Sequence, residues 1–210
     1  MSQIEKEIAK DLLQCRAVIL EPSEPFTWAS GWRSPIYCDN RITLSYPDIR
    51  DRIKSAFVEV IKTSFPGADV IAGVATGAIA IGALVAEALQ LPFVYVRASA
   101  KGHGRKNLIE GRLEVGRRVI VVEDLISTGG SSLKAVEALR EAGSEVLGMA
   151  AIFSYGFAVS EEAFRNANVE LRTLSNYDSL IGIARESAYV QEEQVALLEQ
   201  WRKDPSAWKP

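Results

Sequence analysis

Two adjacent acidic residues, Glu123 and Asp124, stand between an apolar stretch and a run of hydroxyls and glycines in VIVVEDLISTGGSS, residues 119–132. The apolar stretch predicts a buried strand and the residues from 131 predict a helix, so the loop between them follows the strand's carboxyl end. Backbone N–H groups of a glycine-rich turn and a helix N-terminus bind anions such as phosphate. Carboxylates beside an anion site indicate that the ligand also carries neutral hydroxyls, as a ribose does, or a divalent cation.

This segment differs from two familiar phosphate loops. It has neither the G-x-x-x-x-G-K-[ST] pattern of a Walker A loop nor the G-x-G-x-x-G pattern of a dinucleotide-binding loop. The alternative interpretation is an ordinary strand–turn–helix with a solvated acidic pair. That alternative suits an acidic pair alone better than it suits the whole run of acidic, hydroxyl and glycine residues.

The run VVEDLISTGGSS resembles the phosphoribosyl pyrophosphate signature of the type I phosphoribosyltransferases. The resemblance implies that Glu123 and Asp124 hold the 2- and 3-hydroxyls of the ribose, that the loop clamps the 5-phosphate, and that Asp124 is catalytic. The residues so implied in binding the sugar pyrophosphate are Glu123, Asp124, Leu125, Ile126, Ser127, Thr128, Gly129, Gly130 and Ser131. The resemblance also implies Mg²⁺, held through the sugar pyrophosphate with no direct protein ligand assigned beyond the candidates Glu123 and Asp124.

A second segment, RASAKGHGRKNLIEG at residues 97–111, is rich in cations and glycine, which predicts a mobile loop. On its own it also fits a solvated loop, and it leaves open whether His103 is solvated or functional. Its pattern R-x-x-x-K-x-H-G resembles the catalytic loop of orotate phosphoribosyltransferases. The resemblance implies that Arg97, Lys101 and His103 contact the pyrophosphate, that Lys101 and His103 are catalytic, and that loop 98–112 is shared across a homodimer interface.

A third segment, FTWASGWRSPIYCDNR at residues 26–41, resembles the N-terminal region of the same enzymes, which have F-x-x-x-S-G-x-x-S-P. Its aromatic side chains and backbone amides suit a flat heterocycle with two carbonyls and a carboxylate, although loop packing is the alternative for each aromatic residue. The resemblance implies that orotate is bound by Ser30, Gly31, Tyr37 and Ser127.

Two positions depart from the pattern of many orotate phosphoribosyltransferases. Ala29 stands where many of them have Lys, and SYGF follows Phe153 where many have Arg. The orotate carboxylate therefore has no assigned cation, and Arg33 and Arg41 are its candidates.

The dipeptide Thr76-Gly77 lies in AGVATGAIAIGA, residues 72–83, between a predicted strand and a predicted helix. Small residues at such a junction let the backbone approach an anion closely, although a plain tight turn is the alternative. The family has a pyrophosphate-binding loop at this point. The resemblance therefore adds Thr76 and Gly77 to the residues that bind the sugar pyrophosphate.

Hydrophobic periodicity predicts the elements that position these segments. Apolar runs predict strands at 70–75, 93–97, 119–122, 147–153 and 169–174. Helices are predicted after Ser2, from about 45–47, and at 77–90, 131–142 and about 187–203. Near-continuous apolar strands that alternate with helices predict an α/β fold, doubly wound, with a mainly parallel sheet flanked by helices.

We expect a single domain over residues 1–210. An N-terminal helix and an irregular base-binding hood region occupy 1–45, the core sheet occupies 68–185, and a C-terminal helix and tail occupy 187–210.

Composition argues against several classes of protein. The chain has 24 Lys and Arg against 27 Asp and Glu, a net charge of −3, so nucleic acid is not an expected partner. Cys15 and Cys38 lie far apart and favour reduced thiols in a cytoplasm. The uncharged stretch 70–86 is short and is interrupted by glycines, so a membrane span is not expected.

Taken together, the resemblance implies Mg²⁺-dependent transfer of a 5-phosphoribosyl group from its 1-pyrophosphate to orotate, a step of pyrimidine biosynthesis. A purine phosphoribosyltransferase, for adenine or xanthine, stays open because it shares the run at 119–132, although it would lack the segments at 26–41 and 97–111. A non-catalytic regulator that senses the same sugar phosphate also stays open. Such regulators usually add a nucleic-acid-binding region, and residues 1–50 carry six Lys and Arg against seven Asp and Glu.

Overall fold

A computed structural model describes residues 2–28, 31–99 and 108–208 of the chain. In chain order, the strands of these residues are β1 (Val18–Leu20), β2 (Phe26–Thr27), β3 (Arg33–Ser34), β4 (Ile36–Cys38), β5 (Val70–Val74), β6 (Phe93–Val96), β7 (Ile109–Glu110), β8 (Arg118–Ile126), β9 (Glu145–Ser154) and β10 (Leu171–Asn176).

The helices of the same residues follow the predicted alternation with strands. They are α1 (Gln3–Gln14), α2 (Pro47–Ser64), α3 (Ala78–Leu89), α4 (Gly130–Glu141), α5 (Ala158–Asn166), α6 (Tyr177–Glu186) and α7 (Glu192–Lys203), with a 3₁₀-helix at Asn40–Ser45. Helix α1 begins with the expected capping box, in which the Ser2 hydroxyl and the Glu5 carboxylate each accept a backbone N–H of the other residue.

The described strands of the central sheet lie in the order β10-β9-β8-β5-β6-β7. All neighbouring pairs are parallel except β6 and β7, which are antiparallel. The order reverses direction between β5 and β8, and in such sheets a crevice opens beyond the carboxyl ends of the strands at that point. The predicted α/β, doubly wound and mainly parallel architecture is therefore confirmed.

The sheet is buried on both faces, which explains its near-continuous apolar strands. In β8, Ile120 and Val122 join one hydrophobic core with α1, α2, α3, α6 and α7. Val119 and Val121 join a second core with α4 and α5 on the opposite face. Successive strand residues point to opposite faces, so one apolar run supplies both cores.

Three predicted boundaries are corrected. Strand β8 continues past residue 122 through the acidic pair to Ile126, because β9 is long enough to pair with it to Ser154. The last strand is β10 at 171–176 rather than 169–174, since the Val169 N–H still bonds to the Phe164 carbonyl of α5. The last helix, predicted over about 187–203, is present but begins later: α6 ends at Glu186, and Gln191 caps the start of α7 at 192–203.

The hood region packs over the carboxyl edge of the sheet as two small antiparallel pairs, β1 with β4 and β2 with β3. Its described part carries the aromatic segment 26–28 and 31–38. Across the three described ranges, none of the helices combines the length and the apolar character that crossing a membrane requires.

Candidate active site

A cavity of about 300 Å³ lies at the carboxyl ends of β5 and β8, where the strand order reverses. Residues of the two predicted anion-binding segments line it: Ala75, Thr76, Gly77, Glu123, Asp124, Leu125, Ser127, Thr128, Gly129, Ser131 and Ser132. The fold thus brings the Thr76-Gly77 junction and the acidic run together, as the position of ligand sites in parallel sheets leads one to expect.

The two adjacent carboxylates belong to successive residues of β8 and line the same cavity, but they differ in burial. Glu123 is 4% exposed and lies under α4, where it accepts a hydrogen bond of 2.8 Å from the Ser132 hydroxyl. The backbone N–H of Asp124 donates a second hydrogen bond to the Glu123 carboxylate, over 3.1 Å. Burial, and then the negative charge of Asp124, raise the pKa of Glu123 from its ordinary 4.5 to about 8.

The Asp124 carboxylate lies against the junction after β5. A Cβ atom on residue 77 would overlap the Asp124 carboxylate, so Gly77 is required for that carboxylate to stand where it does. The side-chain amide of Asn40 donates a hydrogen bond of 2.5 Å to the backbone carbonyl of Asp124. The half-buried Asp124 carboxylate is therefore the accessible acid of the pair, held between the hood side and the β5–α3 junction.

The hydroxyl and glycine run forms the turn that starts α4. Gly129 has a φ of +82° and precedes the first helical residue, Gly130, and a Cβ at Gly129 would approach the Phe164 ring to 2.9 Å. Ser127, Thr128 and Ser131 line the cavity around this turn. The start of a twelve-residue helix thus lies beside several hydroxyl groups at the cavity. Helix N–H groups and hydroxyls are both hydrogen-bond donors, and together they suit a phosphate. Ile126 differs, since its side chain is fully buried in the core under α4.

The basic segment is described at its two stems. Arg97 follows β6, its N–H donates to the Leu108 carbonyl over 2.8 Å, and its guanidinium lies 3.4 Å from the Glu110 carboxylate. The antiparallel pairing of β7 with β6 closes the stem. Lys101 and His103, predicted to be catalytic, lie outside the described residues.

Of the predicted base-binding residues, Ser127 lines the cavity, and Gly31 and Tyr37 lie in the described part of the hood. Gly31 has a φ of +84°, which suits glycine, and Tyr37 is 43% exposed with its ring 5.6 Å from that of Phe26. Ser30 and Ala29 lie outside the described residues. The indole of Trp28 lies 5.3 Å from the ring of Tyr155, which directly follows β9. The hood therefore reaches the end of β9, the other position at which this chain departs from the family pattern.

The two candidate cations for a substrate carboxylate differ in their surroundings. Arg41 makes a two-pronged ion pair with Asp39, with both N···O distances at 2.7 Å, and this hydrogen bonding lowers the pKa of Asp39. Arg33 is exposed on β3. Asp39 therefore neutralises the charge of Arg41, whereas Arg33 is not paired with Asp39.

Sequence reasoning missed two residues that hold the acidic pair. Ser132 was not separated from the other hydroxyls of the loop, although it is the one that is buried, at 1% exposure. Asn40 bonds a residue 84 positions away, and no local pattern signals such a contact. Within the described ranges, His, Cys, Asp and Glu form no group of three or more that could hold a metal ion.

Comparison with known proteins agrees with this geometry. Residues 44–176 match the family model of the phosphoribosyl transferase domain. The chain is 58% identical to an orotate phosphoribosyltransferase of Bacteroides thetaiotaomicron over 99% of this chain and 98% of that protein.

Two solved structures have the same architecture. Orotate phosphoribosyltransferase from Aeropyrum pernix has a TM-score of 0.75 and 30% identity, covering 88% of this chain and 99% of that one. The Mycobacterium tuberculosis orotate phosphoribosyltransferase, solved in complex with 5-phospho-α-D-ribosyl 1-diphosphate, has a TM-score of 0.65 and 27% identity. Its match covers 84% of this chain and 98% of that one.

The buried carboxyl of Glu123 predicts a pH dependence of stability. Between about pH 4.5 and 8 the unfolded chain has lost the Glu123 proton that the folded chain keeps, so stability falls as pH rises. We expect a slope of up to about 1.4 kcal/mol per pH unit in this window. Glu123→Gln has nearly the same shape as the protonated carboxyl but does not titrate. It should therefore remove the contribution of Glu123 to the slope.

The measurement is urea unfolding of both proteins between pH 5 and 9 in metal-free buffer. Glu87→Gln, which alters an exposed carboxyl on α3, is the matched control and should behave as wild type. An identical slope in wild type and Glu123→Gln would contradict the protonated state of Glu123.

Proposed function

The chain belongs to the phosphoribosyltransferase family, and on that premise we propose that it transfers the 5-phosphoribosyl group of 5-phosphoribosyl 1-pyrophosphate to orotate. The products are orotidine 5′-monophosphate and pyrophosphate. The observation that carries the proposal is the cavity at the β5–β8 crevice, where one carboxylate, Asp124, stands beside the turn that starts α4. The full-length identity to a curated orotate phosphoribosyltransferase supports orotate as the base.

The donors and acceptors that line the cavity match those of a phosphoribosyl group. We infer that its 5-phosphate lies at the N-terminus of α4, bound by N–H groups and by the hydroxyls of Ser127, Thr128 and Ser131. The Asp124 carboxylate then accepts hydrogen bonds from the ribose hydroxyls. Glu123, protonated and hydrogen-bonded to Ser132, holds less negative charge close to the phosphate than an ionised pair would. Gly77 and Thr76 offer the opposite wall for the pyrophosphate.

The donor set at the site fits a hard cation that takes most of its ligands from the substrate. Asp124 and the loop hydroxyls are oxygen donors, which Mg²⁺ prefers, and they are too few to enclose it. Glu123 is less suited as a ligand because its carboxyl is 4% exposed and burial raises its pKa. When bound, Mg²⁺ would neutralise charge on the pyrophosphate.

Cleavage of the bond to pyrophosphate leaves positive charge on the ribose and negative charge on the leaving group, as in glycosyl transfer generally. We propose that Lys101 and Arg97 stabilise that negative charge and that His103 donates a hydrogen bond or a proton to it. Closure of the 97–111 segment over the cavity would exclude water and so prevent hydrolysis of the sugar pyrophosphate.

The base is assigned to the hood side of the cavity, at Ser30, Gly31 and Tyr37, with Ser127 contributing from the phosphate loop. Arg33 is our candidate for the orotate carboxylate, because Arg41 is paired with Asp39. We also infer a cytoplasmic location, which the two free thiols of Cys15 and Cys38 support.

The function is tested by following the loss of orotate absorbance with 5-phosphoribosyl 1-pyrophosphate. We expect turnover with Mg²⁺, loss of turnover with a chelator, and recovery when Mg²⁺ is restored. Adenine and xanthine, offered as competing bases, should neither react nor slow the reaction with orotate. Turnover of a purine without turnover of orotate would replace the proposed function by purine transfer, and turnover of no base would favour a sensor.

Lys101→Ala should lower kcat by about 10²- to 10³-fold, because an ammonium aimed at the leaving group acts mainly in the transition state. The KM for orotate should change by no more than about threefold, since ground-state binding of the base does not involve this charge. Lys62→Ala, an exposed lysine in the last turn of α2, is the control and should leave kcat unchanged. Near-wild-type turnover of Lys101→Ala would contradict the role given to the 97–111 segment.

We further propose that the protein is a homodimer in which loop 98–112 of one subunit serves the site of the other. Lys101→Ala and Asp124→Asn should each be nearly inactive alone. If the lysine acts across the interface, mixing and exchanging the two variants should restore about a quarter of wild-type activity, because half the subunit pairs are mixed and each has one intact site. No recovery, with subunit exchange verified, would place Lys101 and Asp124 in one site of the same chain.

A further inference from the structure

The C-terminal helix α7 lies beyond residues 44–176, which match the family model, yet it is part of the same packed body. Trp201 of α7 is fully buried at 0% exposure. Its ring centroid lies 5.6 Å from that of Trp28, 5.9 Å from Tyr155, 5.6 Å from Phe157 and 5.8 Å from Tyr177. One side chain of α7 therefore touches both the hood and the segment after β9.

Two indole N–H groups, one on α7 and one within the hood, bond to backbone carbonyls of the hood. Trp201 donates a hydrogen bond of 3.2 Å to the Arg33 carbonyl, and Trp28 donates one of 3.1 Å to the Ile36 carbonyl. Both accepting carbonyls lie in the segment that contains β3 and β4, next to Gly31. Because an indole is rigid and carries a polar N–H, the Trp201 bond positions the hood strands above α7, while the Trp28 bond braces the hood internally.

The next residue of α7, Arg202, binds the turn that follows β9. Its guanidinium donates to the Tyr155 carbonyl over 3.1 Å and to the Gly156 carbonyl over 3.2 Å, and pairs with the Asp178 carboxylate at 3.0 Å. Gly156 has a φ of +64°. A planar guanidinium with several donors can satisfy two adjacent carbonyls at once, which fixes the turn that carries the Tyr155 ring.

The hood segment and the turn after β9 are joined directly as well, because the Trp28 and Tyr155 rings are in contact at 5.3 Å. Helix α7 thus sets the spacing between two walls that meet on one side of the crevice. The cavity around Asp124 is lined by other segments, at 75–77 and 123–132.

We propose that α7 positions the base-binding wall of the active site and that Trp201 and Arg202 are positioning residues for orotate, not for the sugar pyrophosphate. The inference rests on the proposed function, since it takes the hood segment as the side on which orotate binds. Neither side chain need touch the substrate. A shift of the hood relative to the turn after β9 changes the fit of the base, while the phosphate loop on α4 stays in place.

The test compares Trp201→Phe and Arg202→Lys with wild type in steady-state kinetics. Trp201→Phe removes the hydrogen bond to Arg33 and part of the ring, and should raise the KM for orotate about five- to tenfold, because small misplacements of a bound reactant are costly. Arg202→Lys, which cannot hold both carbonyls, should raise it about threefold. The KM for 5-phosphoribosyl 1-pyrophosphate should stay within about twofold in both variants.

Phe65→Leu is the matched control for a loss of buried aromatic packing. Phe65 is 4% exposed and packs against Gly148 in the amino-terminal half of β9, away from the carboxyl ends of the strands. It should lower the melting temperature while leaving both KM values unchanged. If Trp201→Phe does not fold, Arg202→Lys, whose side chain is partly exposed, still decides the question.

An unchanged orotate KM in the folded variants, or equal rises in both KM values, would overturn the positioning role while wild-type turnover of orotate upholds the proposed function. Absence of orotate turnover in wild type would overturn the proposed function and this inference with it. A rise confined to orotate, absent in Phe65→Leu, supports the inference.

Discussion

The hydrogen bond from Ser132 to Glu123 joins β8 to α4 beside the cavity, and the wall that we propose for the phosphate depends on it. It joins Glu123 of β8 to Ser132 in the first turn of α4, nine residues further along the chain. Asp124, the next residue of β8, has its carboxylate against Gly77 in the same cavity. The same hydrogen bond sets the N–H groups at the start of α4 around the cavity. An ionised Glu123 would be costly in that place, and its raised pKa lets the carboxyl keep a proton instead.

Much of the fold could be predicted from the sequence because its signals are local. Apolar runs such as 70–74 and 119–122 are buried on both faces, and the Ser2–Glu5 capping box and the Gly129-Gly130 turn are encoded by neighbouring residues. Helix α6 was missed because Asn176 caps it directly at the end of β10, with no loop between them. The last helix was predicted to start about five residues early, because the capping box of Gln191 and Gln194 that starts α7 was not recognised.

The candidate site likewise combines features that could be predicted from local sequence with contacts that could not. Asp124, Gly77 and the loop hydroxyls meet in one cavity, as a parallel sheet requires of residues that follow its strands. The contacts that hold them come from far along the chain: Asn40 reaches Asp124, and Trp201 reaches the Arg33 carbonyl. Such contacts depend on how the hood and α7 fold onto the sheet. Hydrophobic periodicity does not encode them, and without them the different environments of Glu123 and Asp124 could not be foreseen.

The two sides of the crevice have different origins in the chain. The wall that we propose for the phosphates is built from two middle segments, 75–77 and 123–132, whereas the hood and α7 come from opposite ends of the sequence and meet at Trp28 and Trp201. The termini can therefore diverge as a matched pair while the central segments stay the same. A change of acceptor base within this architecture would then need coordinated substitutions at both ends of the chain. A hood transferred alone from another protein would lack the α7 contacts that support it.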